Sequence, residues 1–118
     1  MTDKIEIVNL TPHEITIYMS NGQVLRIPPS GVIARVSVSA KIIGEVNNIP
    51  IRAIEYGEVQ NLPEPKPGVV YIVSIIVLMA LKSKGIVRND VFAPDTSPDS
   101  AVRDEKGNVV GVKYLQAP

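Results

Sequence analysis

The longest apolar stretch of the chain spans residues 69–81, which contain no charged side chain. A membrane-crossing helix needs about 20 apolar residues, and an ordinary strand has about 5 or 6. The stretch is therefore too short for the first element and too long for the second. We predict that it forms the centre of the core as two elements that meet at Ser74.

The composition of this stretch changes along its length. Residues 69–73 are β-branched and aromatic, which favours an extended chain. Residues 78–82 are good helix formers. We predict a strand followed by a helix around residues 75–83. The alternative keeps residues 75–77 in the strand and leaves one helical turn, because short apolar runs discriminate poorly between the two.

The residues that flank this helix support its predicted ends. Ser74 suits the N-cap position, where its hydroxyl can accept a hydrogen bond from an early helical N–H. Lys82 and Lys84 suit the negative end of the helix dipole. Gly85 can adopt the left-handed conformation that closes many helices.

Alternating apolar and polar positions predict a strand and a hairpin before residue 30. Lys4 and Glu6 lie on the outer face of the first strand, and Thr11-Pro12-His13 ends it because proline lacks a ladder donor. Asn21-Gly22 is a strong hairpin signal. The positions predicted to face inward are Ile5, Ile7, Leu10, Ile15, Ile17, Leu25 and Ile27.

Residues 32–40 alternate most regularly and predict a strand with one wet face. A second hairpin is predicted around Asn47-Asn48, with Pro50 near the start of its second strand. Residues 56–59 either extend this hairpin or form a short strand of their own. The inward face of residues 32–40 is predicted to carry Val32, Ala34, Val36, Val38 and Ala40.

The last third predicts a connection, a short strand and a third hairpin. Residues 61–68 are rich in proline and form a stiff connection. Residues 86–92 suggest a strand, and residues 101–104 and 109–115 flank the turn at 105–108. The whole pattern predicts a single domain over residues 1–118: a mainly β, α+β fold, an antiparallel small barrel or sandwich built from hairpins with one helix.

Composition supports sheet and narrows the classes of function. Valine and isoleucine make up 32 of the 118 residues, which favours strands over a helix bundle. The formal net charge is zero and the chain has no basic block, so nucleic-acid binding is disfavoured. The absence of cysteine excludes disulfides and thiolate chemistry. The first residues lack an apolar signal region, so we expect a cytoplasmic protein without a membrane anchor.

Several short motifs occur together in order along the chain. They are Asn9-Leu10-Thr11-Pro12-His13-Glu14-Ile15, Ile27-Pro28-Pro29-Ser30-Gly31, Ala34-Arg35-Val36, Tyr56-Gly57-Glu58-Val59, Leu62-Pro63-Glu64-Pro65-Lys66-Pro67-Gly68, Tyr71-Ile72-Val73-Ser74, Pro94-Asp95-Thr96 and residues 101–107. With them the chain resembles a family of small uncharacterised proteins of prokaryotes and their viruses and phages. The resemblance implies a viral or mobile-element origin, which would place the protein in the host cytoplasm, and carries no activity. Residues 75–79 are more apolar here than the family pattern, which suggests extra burial in a self-association surface.

His13 is the only histidine and the only side chain that titrates unperturbed near neutral pH. Together with Asp95 or Asp104 it is the weak candidate for general acid–base or hydrolase-like catalysis. The competing interpretation is a loop histidine that sets a turn, which we favour because a lone histidine lacks the partner that catalysis requires.

Other candidate sites have simpler structural explanations. The carboxylates Asp90, Asp95, Asp99, Asp104 and Glu105 crowd the last third, but their spacing does not match a calcium loop, and solvated turns are favoured. Ser74 lacks the glycines of a nucleophile elbow. Four arginines could converge on an anion, although a solvated face is the ordinary explanation; they are Arg35, Arg52, Arg88 and Arg103. We predict no cofactor and no metal site.

These observations favour a non-enzymatic interaction or assembly protein that associates with itself or with a protein partner. The reasons are the missing catalytic constellation, the apolar residues after Ser74 and the edge strands that an oligomer would cover. The alternative is a small ligand-binding protein or enzyme with a site around His13 and nearby carboxylates.

Overall fold

A computed structural model describes residues 5–118 of the chain. These residues form ten strands and one helix, which confirms the predicted mainly β, α+β class. The elements are β1 (Glu6–Asn9), β2 (Ile15–Tyr18), β3 (Val24–Ile27), β4 (Arg35–Val46), β5 (Ile49–Gln60), β6 (Val69–Ile72), α1 (Ile75–Ser83), β7 (Val91–Pro94), β8 (Ala101–Arg103), β9 (Val109–Val112) and β10 (Leu115–Gln116).

The strands form two four-stranded sheets and one long hairpin. The first sheet has the order β1-β6-β7-β10, in which β1, β6 and β7 are parallel and β10 is antiparallel to β7. The second has the order β3-β2-β9-β8, in which β2 and β9 are parallel. Strands β4 and β5 pair only with each other among the described strands.

Strand β6 lies at the centre of the core, as the apolar stretch predicts. Its successive side chains point to opposite faces of the first sheet. Ile72 packs toward the second sheet, in a cluster with Ile15, Ile17, Ile27 and Val112. Tyr71 and Val73 belong to a cluster on the other face, with Leu10, Ala34, Val77, Leu78, Leu81, Val91 and Ala93. The first sheet is therefore a middle layer between the second sheet and α1.

The predicted strand and helix that meet at Ser74 are confirmed. Helix α1 connects the parallel strands β6 and β7, which is the usual crossover between parallel neighbours. Its buried side chains, Val77, Leu78, Ala80 and Leu81, cover one face of the first sheet. A continuous apolar run was needed because β6 is buried on both faces.

The two ends of α1 differ in how well sequence anticipated them. Ser74 occupies the N-cap position with extended backbone angles, but its side chain makes no capping hydrogen bond, so the predicted hydroxyl cap is wrong. The C-terminus ends as predicted, because Gly85 has a φ of 69°. The Gly85 N–H donates to the Lys82 carbonyl and the Ile86 N–H donates to the Leu81 carbonyl, which is a Schellman motif.

All three predicted hairpins are present. Strands β2 and β3 pair with Ile15 opposite Ile27 and Ile17 opposite Leu25. Strands β4 and β5 are joined by Asn47-Asn48, and β8 and β9 form the third hairpin. Asn47 and Asn48 have φ values of 49° and 66°, the left-handed angles that tight hairpin turns require and that asparagine tolerates.

Of the two predicted architectures, an antiparallel small barrel or sandwich, the structure is compatible with the sandwich, and the antiparallel pairing needs correction. The sheets of the described residues are not closed into a barrel, so the architecture is an open sandwich with a helix on one face. Three of the strand pairs are parallel: β1 with β6, β6 with β7, and β2 with β9. Local alternation identifies hairpins, but pairings between distant segments depend on how the whole core packs.

Three smaller predictions need correction or lie outside the described residues. Residues 86–90 precede β7 rather than joining it, and Val87 is 84% exposed. Leu115 belongs to β10 in the first sheet and not to the third hairpin. The predicted outward position of Lys4 lies outside the described residues.

The β4–β5 hairpin, which we name the arm, gives the molecule an elongated shape. The radius of gyration is 16.7 Å and the principal extents are 59 × 40 × 22 Å. A compact domain of this length has a radius of gyration of about 13.5 Å. Each arm strand has 12 residues, whereas no other described strand has more than four. The arm accounts for the difference because most of its length lies beyond the core.

Candidate functional site

The base of the arm is part of the core and its outer part is not. Val36 and Val59 are partly buried and pack against the cluster beneath α1. Val38 and Ala40, which follow Val36 on the same side of β4, are exposed. The predicted burial of this face is therefore correct at Val36 and wrong beyond it. Alternation identifies an apolar face, but it does not reveal where the covering layer ends.

The middle of the arm has one apolar face and one polar face. Val38 pairs with Tyr56, Ala40 with Ile54 and Ile42 with Arg52. Directly paired residues share a face, and we name the face formed by these six residues the apolar face of the arm. The opposite face carries Ser39 and Lys41, paired with Glu55 and Ala53.

Two irregularities in pairing shape the arm. The register shifts between Val36 and Val38 and again between Ile42 and Gly44. Such bulges bend a ribbon and increase its twist. The second bulge carries exposed aliphatic residues to the other side of the ribbon at the tip, where Val46 pairs with Ile49 and Gly44 pairs with Ile51.

Exposed aliphatic side chains are concentrated on the arm and the adjoining helix. On the arm they are Val38, Ile42, Ile43, Val46, Ile49, Ile51 and Ile54, with exposures between 39% and 66%. Helix α1 contacts both arm strands and adds Ile75, Ile76 and Met79. Single exposed aliphatic residues are ordinary, but a contiguous set of them marks an interaction surface. Sequence reasoning anticipated the helix residues and missed the arm.

His13 is exposed, and its backbone contributes to a buried hydrogen-bond network. Asn9, which is 1% exposed, donates from Nδ2 to the carbonyls of His13 at 2.8 Å and Ile27 at 3.0 Å. Asn9 Oδ1 accepts from the Thr11 backbone N–H at 2.9 Å and from Thr11 Oγ1 at 2.7 Å. The motif around Pro12 therefore holds a turn against the end of β3.

His13 borders a shallow concavity of ≈ 250 Å³. Thr11, Ser74 and Thr96 also line this concavity, and its remaining walls are Ile15, Ile75 and Pro94. A second concavity beside it includes Glu14. The carboxylates that sequence reasoning paired with His13, those of Asp95 and Asp104, line neither of them.

The carboxylates of Asp95 and Asp104 both organise turns. Asp95 accepts from Ser97 Oγ and from the Ser97 N–H, and these hydrogen bonds hold the pKa of Asp95 below its usual value. Asp104 accepts from the backbone N–H groups of Asn108 and Lys106, which lowers the pKa of Asp104 in the same way. Ionised turn carboxylates of this kind are poor candidates for a general acid.

The four arginines do not share one site. Arg35 and Arg52 lie on the arm, and Arg103 donates to the Gly107 carbonyl within the β8–β9 turn. Arg88 forms a two-pronged ion pair with Asp90, at 2.8 Å from Nε to Oδ1 and 2.9 Å from Nη2 to Oδ2. Arg88 Nη2 also donates to the Pro63 carbonyl at 2.9 Å. This pair, which sequence reasoning missed, ties the proline-rich connection to the start of β7.

The Arg88–Asp90 pair makes stability depend on pH. The hydrogen bonds from Arg88 hold the pKa of Asp90 below its usual value of 3.8. A lowered carboxyl pKa adds stability above pH 3.8, and that contribution is lost as the pH falls through the folded-state pKa. We expect Asp90→Asn to lower the free energy of unfolding at pH 7 by about 1 to 2 kcal/mol, because a charge-assisted pair is lost.

Urea denaturation of both proteins from pH 7 to acid pH measures this effect. The deficit of Asp90→Asn is expected to shrink below pH 3.8, where the unfolded state binds a proton, and to disappear as the pH falls through the lower folded-state pKa, where the wild-type carboxyl itself becomes neutral. Asp99→Asn is the control, because Asp99 is exposed and accepts only from Ser97 among the described side chains. If Asp90→Asn lowers the free energy of unfolding by the same amount at pH 7 and at acid pH, the charged Arg88–Asp90 pair is not the cause of the loss.

Two further classes of site are not found in the described part of the chain. No group of three or more acidic or histidine side chains within residues 5–118 could hold a metal ion. No helix among the described residues combines the length and apolar character that crossing a membrane requires.

Comparison with known proteins adds no identification. No protein family, no curated protein and no solved structure shows significant similarity to this chain.

Proposed function

We propose that this protein is a non-enzymatic interaction or assembly protein that associates through its arm, with itself or with a protein partner. The observation that carries the proposal is the apolar face of the arm, which extends the core outward and has no covering layer. Val36 and Val59 at its base are covered by α1 and its neighbours, whereas Ile42 and Ile54 are 66% and 60% exposed.

Physical chemistry favours a covered arm. An isolated two-stranded ribbon is marginally stable in water, and three strands or a packed face are needed for independent stability. Both outer edges of the arm also carry backbone groups without strand partners in the described chain, which favours further pairing. A partner surface would bury the aliphatic side chains and stabilise the ribbon in one step.

The finer details of the proposal rest on sequence. A cytoplasmic location is proposed from the composition, which includes no cysteine. A viral or mobile-element origin follows from the resemblance of the motifs between Asn9 and Gly107. Nucleic acid is disfavoured as a partner because the formal net charge is zero.

Sedimentation velocity at micromolar concentration tests the proposal. The wild-type protein is expected to sediment as a dimer or larger species. Ile42→Lys is expected to be monomeric and folded, because it places a charge on the apolar face without touching the core. Ser39→Lys, which adds the same charge to the opposite face, should behave as the wild type. A monomeric wild type would overturn self-association through the arm, and an Ile42→Lys variant that still associates would overturn the arm as the contact surface.

A small-ligand or hydrolytic site around His13 is the second candidate function. One observation favours it: His13, Ser74 and Thr96 line one concavity together with Ile15, Ile75 and Pro94. A small, mainly apolar ligand with one polar group suits this lining best. Ser74 lacks a glycine-flanked turn, so it gains no support as a nucleophile.

Fragment binding followed by NMR tests this second candidate. A ligand of the concavity should shift the resonances of His13 and Thr96 together, and His13→Ala should abolish its binding. Glu14→Ala is the matched control, because Glu14 is the exposed neighbour that lies outside this concavity. Fragments that shift neither residue would exclude a ligand site here.

A further inference from the structure

The apolar face of the arm has a pattern that is complementary to itself. Its three rows are Val38 with Tyr56, Ala40 with Ile54, and Ile42 with Arg52. The small residue Ala40 stands between two larger β-branched residues on β4, and Ile54 stands between an aromatic ring and a guanidinium on β5. Arg52 is the one charged residue of the face, and Tyr56 supplies an aromatic ring that a cation can contact.

A two-fold axis through the middle row, Ala40 with Ile54, places each outer row of one copy opposite the other outer row of the second copy. If the axis lies in the plane of contact and perpendicular to the strands, β4 faces β4 of the second copy with reversed direction. Ile42 then faces Val38 of the second copy, and Arg52 faces its Tyr56, where a cation–π contact can form. The two alanines meet at the axis, where their small size allows close approach.

The shape of the molecule favours this reversed arrangement. Each arm joins its core at Val36 and Val59 and is free at its other end. In a parallel face-to-face pairing, the two cores would occupy the same end and collide. In the reversed pairing the cores lie at opposite ends, and each arm tip meets the edge of the partner's core near Val36, so the pairing needs the bend that the bulge between Ile42 and Gly44 introduces.

The exposed residues of the face suit a contact with a second copy. Val38, Ile42 and Ile54 are 44%, 66% and 60% exposed, so pairing removes these side chains from water in both copies. Helix residues Ile75, Ile76 and Met79 are also exposed and extend the apolar surface beside the arm.

We propose that the occupant of the apolar face is the same face of a second copy, in a two-fold pair centred on Ala40 and Ile54. This inference rests on the proposed function and makes it specific. The interface is isologous, so each contact occurs twice. An arm buried in this way becomes the middle of a two-layer sandwich in place of an isolated ribbon.

Complementary charge variants test the predicted contact between Ile42 and Val38 of the second copy. Ile42→Lys and Val38→Glu are each expected to weaken dimerisation at least about a hundredfold, because each homodimer would bury two unpaired charges. An equimolar mixture is expected to restore a heterodimer, in which the lysine faces the glutamate and the remaining contact is native. Sedimentation of the separate and mixed proteins measures both effects.

A mismatched mixture is the control for this experiment. Ile49→Glu at the arm tip makes the same kind of exchange as Val38→Glu, but position 49 lies far from position 42 of the second copy in the proposed pair. Mixing it with Ile42→Lys should restore nothing. A wild type that associates, combined with a matched mixture that fails to restore the dimer, would overturn the two-fold pairing and leave the proposed function standing. A monomeric wild type would overturn the two-fold pairing and self-association through the arm together.

A distance measurement gives an independent readout. The chain has no cysteine, so Glu45→Cys can carry a single spin label. Glu45 lies five residues from Ala40 toward the tip, and at about 3.3 Å per residue the reversed pairing places the two labels about 30 to 35 Å apart. Tip-to-tip contact between arms would instead bring the labels within about 20 Å, and that result would overturn the proposed pairing.

Discussion

Replacing Asn9 by alanine is expected to lower the free energy of unfolding by about 3 kcal/mol, since each buried polar group left without a partner costs about 1 to 3 kcal/mol. Asn9 is 1% exposed and its side chain makes four hydrogen bonds, two donated and two accepted. Alanine removes all four and leaves the carbonyl of Ile27 and the N–H of Thr11 without these partners.

Asn9→Asp separates hydrogen bonding from loss of volume. The aspartate keeps the shape and the two accepted bonds, but its ionised carboxylate would face the carbonyls of His13 and Ile27, which also only accept. We expect a loss of at least 3 kcal/mol at pH 7 (roughly the alanine value), partly recovered in acid, where the protonated carboxyl can donate one bond.

Urea denaturation at neutral and acid pH measures the two Asn9 variants. Asn89→Ala is the matched control, because Asn89 is exposed and should change stability by no more than about 0.5 kcal/mol. A loss below about 1 kcal/mol for Asn9→Ala would show that solvent replaces the side chain easily, which contradicts the burial described here. The result bears on function, because a structural Asn9 explains the motif around His13 without catalysis.

The second large effect is expected for Gly111→Ala, which adds a methyl group. We expect it to lower the free energy of unfolding by about 2 to 3 kcal/mol. A Cβ atom at this buried position would lie 2.9 Å from the Thr16 carbonyl oxygen and 2.5 Å from Cε2 of Tyr18. The carbonyl belongs to strand β2 and cannot move without disturbing the sheet. The Tyr18 ring, which packs over position 111, would have to move away from it.

Two further variants make the Gly111 prediction specific. Tyr18→Ala should be less harmful in the Gly111→Ala background than in the wild type, because the two groups compete for one space. Gly44→Ala is the control, since no atom lies within 4 Å of its Cβ position and its φ is not in the left-handed region. Thermal unfolding of the wild type, the two single variants at Gly111 and Tyr18 and the double variant measures the coupling. Losses of stability that simply add would argue against a steric cause.

These two positions show how the body of the protein supports a projecting arm. Asn9 lies where β1 turns toward β2, and Gly111 lets β9 lie close to β2. Both therefore stabilise the body of the protein, in which α1 and the cluster beneath it hold the base of the arm. Variants of the apolar face of the arm should leave this body intact, so a loss of association can be distinguished from a loss of folding.

Local chemistry explains the part of the fold that sequence predicted correctly. Asn21-Gly22 and Asn47-Asn48 specify turns through left-handed backbone angles, and Gly85 ends α1 for the same reason. The helix at Ile75–Ser83 was predicted with its bounds, because the change from β-branched residues to helix formers occurs over a few neighbouring positions. Such signals act between residues that are close in the chain.

The candidate site was less predictable, because residue type alone does not reveal what a side chain contacts. His13, Asp95 and Asp104 were selected as titratable groups, and the structure places both carboxylates in turns away from the concavity beside His13. The Arg88–Asp90 pair left no distinctive mark in the sequence. The alternation at Val38 and Ala40 predicted burial, which the single chain does not provide.

The sequence alone was enough for the mainly β class, the three hairpins and the central position of residues 69–81, because propensity, alternation and turn chemistry act over short distances. The parallel pairing of β1 with β6 and of β2 with β9, and the point beyond Val36 where the arm leaves the core, were decided only by tertiary structure. Alternation records which side of a strand is apolar, whereas the layer that covers that side is supplied by distant segments whose packing no local pattern contains.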